Sequence, residues 1–220
     1  MELSERLKVI KSLVPNGARL LDIGSDHAFL PIALLKDGAI SEAVVTDINK
    51  GPLERGRENF ARLFPGAKVS FVLSDGFDKV EQGAADVASI CGMGGLLISD
   101  ILRRAGRKAK EMLLLLQPMS HQNELRRYLW SNGFCIEDEL FAVEGDKAYV
   151  IFKVRFYGTQ TEFSYSDLYL GKHRPQTAEF KLYLKKQLVA AEKRLLGLRH
   201  RGDDTSQECA LIDEIKKIGF

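Results

Sequence analysis

Three aspartates stand where an α/β protein keeps its ligand contacts. Asp22 comes near the end of the apolar run 19–24, Asp47 closes 43–47, and Asp75 follows the run 69–73 within Ser74-Asp75-Gly76. Each run is short and mostly apolar, as expected of a strand buried on both faces. In a parallel sheet, ligands bind beyond the carboxyl ends of the strands, near the point where the strand order switches. An acidic residue about twenty residues past the first glycine turn is placed to bind the two hydroxyls of a ribose. Asp47 is at that distance, in Asp47-Ile48-Asn49, and Asp75 is placed to accept from an adenine amino group. A single aspartate at a strand end is ordinary turn capping. Three of them after three strands point to a nucleoside.

The sign of the charge narrows which nucleoside. The turn after the first strand reads Asp22-Ile23-Gly24-Ser25-Asp26-His27-Ala28. Gly24 lets a ligand approach the backbone. A dinucleotide fingerprint would continue with glycines that bring a pyrophosphate onto a helix N-terminus. Here Ser25 and Asp26 follow, and the place of the third glycine is Ala28 or later. Asp26 would repel a pyrophosphate, whereas a sulfonium cation suits these carboxylates, so S-adenosylmethionine is favoured over NAD.

The elements that hold these residues alternate along the chain. A helix over 3–13 ends at Pro15-Asn16-Gly17, and strands over 19–24, 43–47, 69–73, 86–91 and 112–116 alternate with helices over 28–37, 51–63, 94–105 and 121–131. The fourth strand leads into the glycine loop Cys91-Gly92-Met93-Gly94-Gly95, and the fifth closes at Gln117-Pro118. Two strand-like runs, 134–143 and 148–156, then follow with only four residues between them, which makes an antiparallel hairpin. The pattern implies a mostly parallel sheet with one reversed strand. Beyond residue 160, Phe180, Leu184, Leu188, Ala191, Leu195 and Leu198 form a heptad-like stripe, and a second helix over 205–218 completes an antiparallel helical hairpin. Two units are expected: 1–157, which binds the cofactor, and 161–220, the hairpin.

Bulk properties exclude several classes. The 220 residues carry a net charge of +2, so a polyanion must meet a local basic face and not a whole-protein field. Three scattered cysteines make neither a disulfide framework nor a zinc site and fit a cytoplasmic protein. The charged N-terminal segment does not read as a signal peptide, and no apolar run is long enough to cross a membrane.

The segments Asp22-Ile-Gly-Ser-Asp-His-Ala-Phe-Leu-Pro31, Cys91-Gly-Met-Gly-Gly95 and Leu116-Gln-Pro118, in this order and spacing, resemble the bacterial tRNA (adenine-N1)-methyltransferases that modify an adenine in the D-arm region. The likeness covers almost the whole chain. It implies a Rossmann-like class I α/β fold with seven strands, the last antiparallel. It also implies methylation of adenine 22 and cofactor contacts at Asp22, Gly24, Ser25, Asp47, Ile48, Asn49, Asp75, Gly76 and around Cys91, with Gly92 and Met93. Where many amino-methylating enzymes carry Asn-Pro-Pro-Tyr, this chain has Gly92-Met93-Gly94-Gly95, as the family does.

Adenine N1 carries a free lone pair, so its methylation needs positioning and electrostatics and no prior deprotonation. Asp26 is the candidate to stabilise the cationic product and His27 the candidate to orient the base; the plainer reading makes them a helix cap and a backbone contact. Gly94 and Gly95 would let a flat base lie against bare backbone. Cys91 is read as buried, with no nucleophilic role. Residues 101–130 and 177–201 each hold a local excess of five positive charges, with Lys185, Lys186 and Arg194 as candidate RNA contacts. The hairpin could grip RNA, pair two copies or brace the domain, and a monomer or weak homodimer without metal is expected. Competing readings are a methyltransferase for another RNA base or a small molecule, and an RNA-binding module that keeps cofactor affinity without turnover.

Overall fold

The computed structural model describes residues 2–25 and 27–219. In chain order the elements are α1 (Glu5–Leu13), β1 (Ala18–Ile23), α2 (Phe29–Lys36), β2 (Ile40–Asp47), α3 (Lys50–Leu63), β3 (Val69–Leu73), β4 (Val87–Gly94), α4 (Gly95–Ala105), α5 (Arg107–Lys110), β5 (Leu113–Ser120), α6 (Gln122–Ser131), β6 (Phe134–Glu144), β7 (Lys147–Phe156), α7 (Tyr165–Leu170), α8 (Ala178–Arg201) and α9 (Ser206–Ile218). The sheet runs β3-β2-β1-β4-β5-β7-β6. β1 to β5 are parallel, and β7 lies antiparallel between β5 and β6. One strand is therefore reversed, as the terminal hairpin implies, and the architecture is the Rossmann-like class I arrangement.

The continuous apolar runs follow from burial on both faces of this sheet. Successive side chains point to opposite faces. Leu20, Leu113, Leu115 and Ile151 join one core with Ile10 of α1, Ile32 of α2 and Phe60 of α3. Leu21, Leu114, Leu116 and Phe152 join the other with Ile98 of α4, Leu129 of α6 and Leu184 of α8. Phe180, Leu184 and Ala191 of the heptad-like stripe are buried in this second core, together with Leu211 and Ile215 of α9.

Three features depart from expectation. The fourth strand does not stop at Cys91, nor the fifth at Leu116. Both continue, pairing Cys91 with Gln117, Met93 with Pro118 and Gly94 with Ser120 across two register shifts. Glycine and proline read locally as breakers, but here each tail finds a neighbour, and the shifts absorb the residue that cannot donate. The helices α5 and α7 are additional. Arg126, counted in the basic segment 101–130, is fully buried.

Arg126 ties four elements together. From α6 its Nη2 donates to Glu139 Oε2 of β6 at 2.6 Å, and its Nη1 donates to the carbonyl of Leu168 in α7 at 2.9 Å. It lies within 3.4 Å of the Tyr183 hydroxyl of α8 and over the ring of Phe152. Removing one partner of a buried pair strands the other charge, at about 3–5 kcal/mol. Arg126→Ala should lose about that much in urea unfolding, and Arg126→Met combined with Glu139→Leu should recover part of it.

Candidate active site

Two adjacent parallel strands whose connections leave in opposite directions open a crevice at their carboxyl ends. Here these strands are β1 and β4: the chain leaves β1 toward β2 and leaves β4 toward β5. A cavity of about 480 Å³ occupies the crevice, lined by Asp22, Gly24, Ser25, His27, Cys91 and Gly92 together with Ser4 and Arg6.

Asp22 is nearly fully buried and pairs in register with Ser89 of β4, whose hydroxyl donates to Asp22 Oδ1 at 2.5 Å. Burial pushes the Asp22 carboxyl up from its ordinary range, opposed by hydrogen bonds from Ser25 and Ser89. The Cys91 thiol is pushed well above its usual range by burial and by the neighbouring Asp22, which suits an inert thiol and not a nucleophile.

Gly24 has φ of +73°, and a Cβ there would stand 2.0 Å from Cε of Met93. Met93 therefore covers the β1 turn in the space that glycine leaves open. Gly95 is required for a different reason: its Cβ would meet the carbonyl oxygen of His121 at 2.3 Å. Gly94 has Ser120 Oγ at 3.3 Å in the same sense. The space a side chain would take at Gly95 is thus filled by the β5–α6 turn. His121 itself takes a positive φ of 54°, uncommon outside glycine.

The other strand ends lie alongside. Asp47 is buried at the end of β2, and its Oδ1 accepts from the Asn49 amide at 2.7 Å, so one oxygen caps the turn. No bond to Oδ2 occurs among the described residues. Ile48 and Asn49 are exposed at the rim. Asp75 follows β3 and accepts from Arg104 Nη2 of α4 at 2.8 Å, while Gly76 packs on Ile101 of the same helix. An adenine amino group would have to share Asp75 with that arginine. His27 is exposed, stacks on Phe29 with ring centroids 5.1 Å apart, and presents its carbonyl to Asn59. Asp26 lies outside the described residues.

Two site residues escaped the sequence. Gln117 is fully buried, and its Oε1 accepts from the Gly92 amide at 3.1 Å and from Arg6 Nη1 at 3.0 Å. Gln117-Pro118 was legible only as part of a resemblance, and Arg6 looked like the polar face of an amphipathic helix.

A model of the methyltransferase domain matches residues 3–152. The tRNA (adenine(22)-N(1))-methyltransferase of Bacillus subtilis is 34% identical over 153 residues, covering 69% of this chain and 64% of that protein. A Streptococcus pneumoniae protein solved in complex with S-adenosyl-L-methionine superposes with a TM-score of 0.85 at 31% identity, over 99% of each chain. The chain belongs to the bacterial tRNA (adenine-N1)-methyltransferase family. The Bacillus subtilis M1A22 tRNA methyltransferase structure agrees, with a TM-score of 0.80 at 26% identity over 98% of this chain and 95% of that one. The cavity suits S-adenosylmethionine: the buried acid Asp22 and the Gly24 turn line it, and a second buried acid, Asp47, ends the adjacent strand β2.

The family's RNA partner needs cations, and here many are already paired. Arg104 meets Asp75, Asp78 and Asp100, Arg107 meets Glu111, and Arg127 meets Glu124. Arg194 donates to the buried Glu208 at 2.8 Å, inside the helical hairpin. Lys185 and Lys186 are exposed on α8, with Lys186 only 3.8 Å from Asp146. No helix among the described residues is long and apolar enough to cross a membrane, and no cluster of potential metal ligands occurs among them.

Two outcomes follow from this geometry. Gly95→Ala must displace the His121 backbone, so unfolding stability should fall by about 1–3 kcal/mol with a loss of methyl transfer. The buried Asp22 holds its proton more tightly than an unfolded aspartate, so the native state binds more protons and stability falls as pH rises above about 3.9. Asp22→Asn should remove that limb, raise the apoprotein Tm by about 2–4 °C at pH 7 and weaken S-adenosylmethionine binding, measured by scanning fluorimetry and calorimetry.

Proposed function

We propose that this chain methylates N1 of an adenine in tRNA, position 22 by likeness to the Bacillus subtilis enzyme, with S-adenosylmethionine as donor. The observation that carries the reading is the acidic crevice at the β1–β4 switch. Asp22 is buried there, and Asp47 lies one strand away with an oxygen to spare. Carboxylates at these positions suit ribose hydroxyls and a cationic sulfur and oppose a pyrophosphate.

Bound S-adenosylmethionine supplies an electrophilic methyl group. Asp47 would hold the ribose hydroxyls through Oδ2, and Asp75 with Gly76 would border the adenine. Gly24 and Met93 set the depth of the pocket. Adenine N1 attacks with a lone pair it already has, so no residue need take a proton first. The product base is cationic, and Asp26 stabilises that charge as it grows. His27, on the cavity wall, orients the incoming base. N1 lies on the Watson–Crick edge, so the nucleotide must leave its stack before it reaches the crevice. Lys185 and Lys186 contribute phosphate contacts whose strength falls with salt. The protein works in the cytoplasm beside its substrate, as a monomer or weak homodimer.

Unmodified tRNA incubated with the protein and labelled S-adenosylmethionine should yield N1-methyladenosine, mapped to one D-arm position. Cofactor binding without any methylated nucleoside would favour an RNA-binding module, and a different modified base would redirect the substrate. Asp26→Ala should lower turnover by about a hundredfold or more while changing cofactor affinity little. Wild-type turnover would contradict the role of Asp26.

A further inference from the structure

Ala28, at the head of α2, takes a left-handed backbone with φ of 54° while its side chain is buried. A residue with a Cβ is disfavoured in that region, so the conformation persists only where its surroundings impose it. Those surroundings belong to α3. A Cβ on Gly56 would stand 3.4 Å from Cβ of Ala28 and 3.2 Å from Cε1 of Phe71, so the missing side chain leaves Ala28 a socket walled by β3. Glycine weakens a helix interior, and here another segment fills the space it leaves. One turn further along the same face, Nδ2 of Asn59 donates to the His27 carbonyl at 3.0 Å. Nη2 of Arg62 donates to Asn59 Oδ1 at 2.9 Å. A guanidinium can only donate, so it claims the amide oxygen and turns the amide nitrogen toward His27. On the other side of Asp26, the amides of Gly24 and Ser25 both reach the Thr46 carbonyl, at 2.8 and 3.4 Å.

We propose that Asn59 is a positioning residue for methyl transfer: its carboxamide, oriented by Arg62, holds the His27 carbonyl and so fixes the turn that carries Asp26 and His27. The assignment rests on the function proposed above, in which those two residues meet the target base. The bonded carbonyl belongs to a residue that lines the cavity, as Ala28 does. The bond spans 32 positions of the chain, so it is a tertiary contact and not a local cap. Asn59 is not needed to seat its own helix, which packs through Leu53, Gly56 and Phe60. Attack by a lone pair that is already free draws its rate from placement and fixed charge. A displaced turn therefore costs turnover, while Asp22 and Asp47, on strands β1 and β2, stay where the cofactor needs them.

The test compares wild type, Asn59→Ala and Asn59→Asp by single-turnover methylation of unmodified tRNA and by calorimetric titration with S-adenosylhomocysteine. Asn59→Asp keeps the shape of the side chain and loses the donor. In both variants the rate at saturating tRNA should fall about ten- to a hundredfold, while the Kd values for S-adenosylhomocysteine and for tRNA stay within about twofold of wild type. Retained S-adenosylhomocysteine binding also shows that the variants are folded. Hydrogen exchange gives a readout that needs no tRNA: peptides spanning 24–30 should exchange about tenfold faster in the variants, and those from β1 at the wild-type rate. A wild-type methylation rate in either variant, or unchanged exchange over 24–30, would overturn the assignment. So would parallel losses of rate and S-adenosylhomocysteine affinity, which would make Asn59 a support of the cofactor site. Absence of methyl transfer by the wild type, with these exchange differences still present, would instead overturn the function beneath it.

Discussion

Everything chemical in this fold depends on β1 pairing with β4 on the edge away from β2. That pairing sends the chain away in opposite directions from the two strand ends and opens the crevice between them. It also sets Ser89 opposite Asp22, so the hydroxyl of one strand holds the carboxylate of the other. A buried acid without a cation is unfavourable on its own, which is why its proton is held more tightly than in water. The energy that folding leaves unfavourable there becomes available to a cationic ligand. The crevice is destabilised in the direction that cofactor binding reverses.

A second constraint closes the site from the far side. The tails of β4 and β5 stay paired through Gly94 and Ser120, and the missing Cβ of Gly95 lets the His121 carbonyl approach it. Gln117, on the β5 tail opposite Cys91, joins Gly92 to Arg6 of the first helix. The helical hairpin is attached elsewhere, through the buried Arg126–Glu139 pair and the second apolar core. The hairpin and the crevice therefore rest on separate anchors, both reached through the sheet.

Much of this was legible in the chain. Strands buried on both faces announce themselves as apolar runs, and the terminal hairpin required one reversed strand. The stripe from Phe180 to Leu198 showed the face of α8 that is covered, as far as Leu195. The extended tails of β4 and β5 were not legible, because Gly92, Gly94 and Pro118 are local breakers and only the neighbouring strand overrides them. Arg126 and Arg6 were hidden for a related reason: both sit among charged residues on amphipathic helices, and nothing local separates a solvated arginine from one whose partners lie tens of residues away. The pairing of Asp75 with Arg104 was likewise invisible, since each residue type is ordinary at its position. The glycines at 94 and 95 were noticed, but the approach of the His121 carbonyl to Gly95 was not, since nothing local in the sequence brings the two together.

A crystal structure of the protein with S-adenosylhomocysteine would test the central claim most directly. The account predicts the nucleoside across the tips of β1 to β4, with its ribose hydroxyls within hydrogen-bonding distance of Asp47 and its sulfur beside Gly24. A nucleoside bound anywhere else on the protein, or a ribose that makes no contact with Asp47, would contradict it.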